Sequence, residues 1–253
     1  MRRPLTPVPV AGAVAAVRAL RGWNAAVAAS AAVLVTLGLA FGIGWLATND
    51  TRTSNFALAS PPTSVDLELS SGDAQISGGS PSAVQVERID RFAFGRSAHE
   101  QRSLSGGVLR LSSRCPHVVV GSCSSSYRLT VPDNVAVKVR SASGSVRLSG
   151  FRGNARIETR SGAITVDAFC GFGLSATSSS GNVKVTTACA AKSIDLESDT
   201  GNVSALVPPG RYDVRATART GKLHVSGVTR SPDAPFSINL FSRSGDVSLE
   251  GGL

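Results

Sequence analysis

The feature that most constrains this chain is one phrase, written six times between Val137 and Leu249. A hydroxyl residue followed by glycine recurs as Ser143-Gly144, Ser161-Gly162, Ser180-Gly181, Thr200-Gly201, Thr220-Gly221 and Ser244-Gly245, at intervals of 18, 19, 20, 20 and 24 residues. The second and fourth positions after each glycine are apolar, from Val146 and Leu148 in the first copy to Val247 and Leu249 in the last. The fifth and seventh positions before it are apolar as well, and the third before it is small, from Ser141 to Ser242. A fixed period near twenty is the mark of a solenoid, whose units bury their faces only by stacking on one another.

Inside a unit the grammar is β. Apolar and polar residues alternate at period two, which suits a pleated strand with one buried face. The inward stations step by two up to the hydroxyl residue, by three across the glycine, and by two again. Such a phase slip is what a corner requires, and glycine tolerates it. An array of antiparallel hairpins needs a short turn signal at every reversal, and the turns here vary too much. The expected fold is all-β, a parallel β-solenoid of about 20-residue rungs, with corners at Gly144, Gly162, Gly181, Gly201, Gly221 and Gly245. The phrase also appears early: Val65, Leu67, Leu69, Ser71-Gly72, Ala74 and Ile76 hold the same offsets, adding a corner at Gly72. Between Ser77 and Asn134 the register lapses, although Val84–Glu87, Val108–Leu111 and Tyr127–Val131 still read as strands. This portion, 77–134, is expected to cap the N-terminal end of the regular rungs at 137–249.

Ahead of the repeats stands a different kind of sequence. Residues 1–24 form a basic leader with Arg2, Arg3, Arg18 and Arg21 and no acid. Residues 25–47 then run without a charge, long enough to cross a ~30 Å hydrocarbon core as a helix. Trp23 and Trp45 mark its two ends, where interfacial aromatics gather. The arginine asymmetry predicts a single-pass span with the N-terminus in the cytoplasm and the C-terminal domain outside. The run is longer than the apolar core of a signal peptide and lacks a small-x-small site at its end, which favours an uncleaved anchor. Gly38-Leu39-Ala40-Phe41-Gly42 carries the small-residue spacing of helix pairs, a weak pointer to a homodimer through the membrane. Residues 48–64, rich in Thr, Ser and Asn with Pro61-Pro62, read as a linker, leaving 65–251 as the ectodomain.

The run Tyr127-Arg128-Leu129-Thr130-Val131-Pro132, then Val137-Lys138-Val139, then Ser141-x-Ser143-Gly144-x-Val146-x-Leu148 and its copies, resembles the bacterial adhesin-like β-solenoid domains of unknown function. The resemblance covers roughly Val65 to Gly251. It implies a β-solenoid that is exported or membrane-tethered, and it supplies no catalytic residues.

Register places the cysteines. Cys170 lies eight residues after Gly162, and Cys189 eight after Gly181. The two therefore hold one station on adjacent rungs, about 4.8 Å apart, within the Cα range of a disulfide. Cys115 and Cys123 remain as the second pair. Two disulfides suit an oxidising compartment, and the absence of any C-x2-4-C spacing argues against zinc.

The chain carries a formal charge of +9, but four of its 26 basic residues are the leader arginines, leaving 22 against 17 acids in the remainder. Outward charges sort by rung, and consecutive stacking predicts Asp195 beside Arg215, Asp199 beside Arg219 and Arg140 beside Glu158. Asn182 and Asn202 are expected to stack as an amide ladder, and the hydroxyls before each glycine to bond along the stack. No basic stripe interleaved with aromatics exists, so no nucleic-acid partner is expected. His99, His117 and His224 show no metal spacing, no G-x-S-x-G elbow is present, and no cofactor is implied. The expected role is a non-catalytic, adhesin-like surface module anchored in the lipid bilayer, contacting an envelope polymer or another surface protein. A sensory or regulatory ectodomain for envelope state is the alternative. A cell-wall polysaccharide enzyme is less favoured, because no local cluster of acids and bases is evident.

Overall fold

The computed structural model describes residues 33–42, 44, 49–58, 60–79, 84–93, 96–116 and 122–252. The chain divides into two units, Met1–Thr48 and Asn49–Leu253. In the first, 33–42 and 44 are helical. Among the described residues no helix is long and apolar enough to cross a membrane. The leader 1–24, much of the span 25–47, and both Trp23 and Trp45 lie outside the described residues.

Among the described residues the second unit is a stack of eight rungs, each of two strands, with a glycine corner between them in all but the second. In chain order the first rung is Ser64–Leu69 with Ala74–Gly79, and the second is Val108–Arg114 with Cys123–Pro132. The third is Ala136–Ser143 with Val146–Ser149, and the fourth Ala155–Ser161 with Ile164–Phe169. The fifth is Gly173–Ser180 with Val183–Thr187, and the sixth Ser193–Thr200 with Val203–Val207. The seventh is Arg211–Thr220 with Leu223–Ser226, and the eighth Ser237–Ser244 with Val247–Gly251. Leading strands pair in parallel in one sheet and trailing strands in the other, with the apolar stations between them. Val65, Val137, Ala155, Leu174, Ile194 and Ile238 make one such buried file, each at most 4% exposed.

Rungs do not stack in chain order. The spatial sequence is second, first, third, fourth, fifth, sixth, eighth, seventh. The first rung lies between the second and third, and the eighth lies between the sixth and seventh. This corrects the consecutive stacking expected from the repeat. Asp195 is therefore beside Asn239, not Arg215, and its carboxylate accepts from the Asn239 side-chain amide at 2.6 Å. Asp199 faces Arg243 at 3.0 Å, not Arg219. The expected Arg140–Glu158 pair is present at 3.3 Å, within the regularly ordered part.

The glycine corners form a file that runs the length of the stack. Gly72, Gly144, Gly162, Gly181, Gly201, Gly245 and Gly221 all have positive φ. A Cβ on any of them would come within 2.0–2.3 Å of a backbone carbonyl oxygen one rung away. At Gly144, with φ of +123°, that oxygen belongs to Gly72. The second rung lacks this corner. Its two strands are instead bridged at their near ends by the Cys115–Cys123 disulfide, with a Cα separation of 5.8 Å. Cys170–Cys189, at 5.0 Å, staples the fourth rung's turn to the fifth's as the repeat register predicts.

Two side-chain files run beside the glycines. Ser178, Ser198 and Ser242 donate from Oγ to the carbonyl of the corner glycine in the preceding rung of the stack, at 3.1, 2.9 and 2.8 Å. Leu69 interrupts this file between Ser113 and Ser141, and among the described residues neither serine hydroxyl joins the row of bonds to corner carbonyls. The residue after the glycine makes the second file. The Asn182 side-chain oxygen accepts from the Asn202 amide N–H at 2.8 Å, Asn202 from Asp246 at 2.9 Å, and Asp246 from Lys222 at 2.8 Å. Asn182 and Asn202 thus bond side chain to main chain, which corrects the expected amide-to-amide ladder. The corner turns these N–H groups out of the strand ladder, and the side chains satisfy them.

At the second-rung end, antiparallel strands replace stacking. His99–Ser105 pairs with Val108–Arg114, and Val84–Ala93 pairs with Cys123–Pro132. Asn49–Leu58 then pairs along its whole length with Val84–Ala93. Residues 49–58 are therefore an edge strand, not the first part of a linker. Their polar composition suits an edge that one face leaves in water, while Phe56 and Leu58 pack on the core.

Two outcomes check this architecture. Cysteines placed at Asp195 and Asn239 should form a disulfide on mild oxidation, whereas the Asp195 and Arg215 pair should not, being two rungs apart. Equal yields from both pairs would restore consecutive order. Gly144→Ala should lower the unfolding free energy by at least the ~1–3 kcal/mol of a strained backbone, seen as a lower denaturant midpoint, while Ser179→Ala, at an exposed position, should leave the midpoint unchanged.

Candidate functional site

Where parallel stacking gives way to antiparallel pairing, the outer face of the second sheet forms a groove of about 740 Å³. Four strands lie abreast beneath it. Asn55, Glu87, Arg128 and Gln75 make one row across them, and Ala57, Gln85, Thr130 and Ser77 make the next. These are the outward stations of strands whose alternate residues, Val86, Leu129 and Ile76, are core. At ~4.8 Å between strands the floor is about 14 Å wide. Arg128 pairs with Glu87 at 3.1 Å, and the hydroxyls of Ser77 and Thr130 are 3.4 Å apart. The remaining functional groups are side-chain amides with both donors and acceptors. Among the lining residues there is no nucleophile seated beside a base, so the chemistry on offer is hydrogen bonding.

Behind the groove lies a buried ionic network. Along Val84–Ala93 the inward stations change from Val84 and Val86 to Arg88 and Asp90, which are 7% and 5% exposed. Arg88 holds Asp90 bidentately, with Nε to Oδ1 and Nη2 to Oδ2 both 2.8 Å. Its Nη1 donates to Glu100 and its Nη2 to the Ala98 carbonyl, while the Ser125 hydroxyl donates to Asp90. Burial works against the Arg88 charge, yet Tyr127, Asp90 and Glu100 outweigh it and hold the guanidinium above its ordinary value. Burial pushes the neighbouring Tyr127 hydroxyl far above the usual phenol range. Since Glu100 stands on His99–Ser105 and Asp90 on Val84–Ala93, the network ties together the caps of the two sheets. The Arg102 guanidinium over the Phe56 ring, at 4.3 Å, adds a second tie.

The residues singled out from sequence have structural places. The seven glycines line the corner, all four cysteines are bridged, and His99 and His224 stand on separate strands at opposite ends of the stack. His117 lies outside the described residues. Among the described residues no three His, Cys, Asp or Glu side chains group as metal ligands. The sequence reading did not single out Arg88, Asp90 or Glu100. The signal was there, in opposite charges at alternate positions continuing an apolar inward face.

Residues 111–250 match the Toastrack DUF4097 family. The chain belongs to that family. No curated relative matches it. Among solved structures, it is similar to a candidate adhesin from Bacteroides fragilis NCTC 9343, at 12% identity and a TM-score of 0.49, covering 80% of this chain and 97% of that one. A candidate cell adhesion protein from Clostridium sporogenes ATCC 15579 is similar at 10% identity and 0.46, covering 79% and 100%. A candidate lipid binding protein from Parabacteroides distasonis ATCC 8503 is similar at 11% and 0.33, covering 81% and 97%.

Arg88→Met should destabilise the Toastrack unit by about 3–5 kcal/mol, because it strands Asp90 as a buried charge without its partner. Pairing it with Asp90→Leu should recover much of that loss. A double variant no more stable than the single one in a denaturant titration would show that the network is not coupled as described.

Proposed function

We infer that this Toastrack protein is a membrane-anchored, non-catalytic binding module of the cell envelope, with its solenoid outside the cytoplasm. It takes an extended polar polymer across the groove on the second sheet. The groove carries this reading: two rows of amides, hydroxyls and one ion pair, repeated at strand spacing, suit a ligand with regularly spaced hydroxyls or amides. The anchor rests on the uncharged run at 25–47 and the arginines before it. The two disulfides suit an oxidising compartment.

The test is retention of the full-length chain, in detergent micelles, on an array of envelope polysaccharides. Joint replacement of Gln85 and Arg128 by alanine should weaken retention at least tenfold. Thr165→Ala, on the same outer face but beyond the groove, should leave it unchanged. Binding that both variants leave intact, or no binding to any polymer, would overturn the assignment of the groove.

A further inference from the structure

The two ends of the stack are finished differently. At the second-rung end, antiparallel strands and the Arg88 network cover the core. At the seventh-rung end, among the described residues, only Thr229–Arg230 pairs with the outer edge, and only at Arg211 and Tyr212. The rest of Arg211–Thr220, and all of Leu223–Ser226, has a strand neighbour on one side alone. A strand with one free side presents unpaired N–H and C=O groups in a row.

Apolar side chains stand open there too. Val214, Ala216, Ala218 and Val225 are only partly buried, and Leu223 is 48% exposed. The equivalent stations one rung inward, Ile238, Leu240, Val247 and Leu249, are at most 2% exposed. The edge is also basic. From Arg211 to Arg230 the sequence holds Arg211, Arg215, Arg219, Lys222 and Arg230 against a single acid, Asp213. Asp213 lies 3.6 Å from Arg215, and no ion pair engages Arg219, Lys222 or Arg230 among the described residues. Elsewhere in this sheet an arginine on one rung meets an acid on the next, as in Arg140–Glu158 and Arg243–Asp199.

We propose that the seventh-rung edge is a docking site for an extended acidic segment of a protein partner, which adds to Asp213–Thr220 as a further strand. Strand addition supplies main-chain bonds to the free edge, and alternate side chains supply the selectivity. Acids on one face of the incoming strand lie opposite Arg215 and Arg219, repeating the cross-rung pairs already in the sheet. Apolar residues on its other face cover Val214, Ala216 and Ala218. A second copy of the chain fits poorly, since two such ends would bring five basic residues and one acid against the same set. A purely anionic polymer meets the arginines but leaves the apolar stations and the free backbone uncovered. This site lies beyond the groove reading and does not depend on it.

The experiment uses the full-length protein in detergent micelles and a fluorescent ten-residue peptide alternating Glu and Val, read by anisotropy. Comparison probes are the same peptide with Lys for Glu, the same peptide N-methylated at alternate residues, and polyglutamate. The Glu-Val peptide should bind, and the Lys-Val peptide should not. N-methylation, which removes backbone donors without changing charge, should weaken binding at least tenfold. So should Arg215→Glu with Arg219→Glu, two exposed substitutions, while Arg156→Glu on a central rung should have no effect. Equal binding of the N-methylated peptide or of polyglutamate would reduce the edge to plain anion attraction and overturn the proposal. Sedimentation showing wild-type self-association that the double substitution alters would instead assign the edge to a second copy.

Discussion

The structure depends on how closely one backbone can lie on the next at the corner. In each regular rung the chain bends where its glycine sits against the carbonyl of a neighbouring rung, closer than any side chain allows. Everything else in the rung follows from that contact. Because the corners coincide, the strands on either side stay in register and their apolar stations fall into files. The serine hydroxyls can then reach the same carbonyls, and the residue after the glycine can satisfy the N–H that the bend turns out of the ladder. Individually most of these are neutral hydrogen bonds, each a net ~1 kcal/mol, and the one to the Asp246 carboxylate is charge-assisted. Their effect is to fix register, since a slip of one residue would send the inward file to solvent.

Much of this was legible in the sequence because it is periodic. A glycine that recurs with fixed apolar offsets states both the corner and the inward face, and the same register paired Cys170 with Cys189. Rung order was not legible. The seventh and eighth rungs carry the same stations, so either one satisfies the sixth equally on pattern alone. The one trace is the interval of 24 between Gly221 and Gly245, whose extra length carries the chain from Ser226 back over the seventh rung to Ser237. The strand 49–58 escaped notice because an edge strand needs little apolar content. Only Phe56 and Leu58 betray its inward side.

The groove was hidden for a different reason. Its floor joins residues near 55, 75, 85 and 128, and no local pattern links them. They meet because the first rung is inserted between the second and third, and because Val84–Ala93 pairs antiparallel with both Cys123–Pro132 and Asn49–Leu58. Adjacent to it, the Arg88 network performs at one end of the sandwich the closure that apolar stacking performs in the middle. Its charges tie the two sheets where there is no further rung to hold them together.

The inversion of the last two rungs separates the order in which the chain is made from the order in which it is assembled. The eighth rung is translated after the seventh and yet lies beneath it. The seventh therefore cannot take its final seat until the polypeptide beyond it exists. A domain that looks as though it could grow like a zipper, one tooth after another, must instead close its last two teeth together.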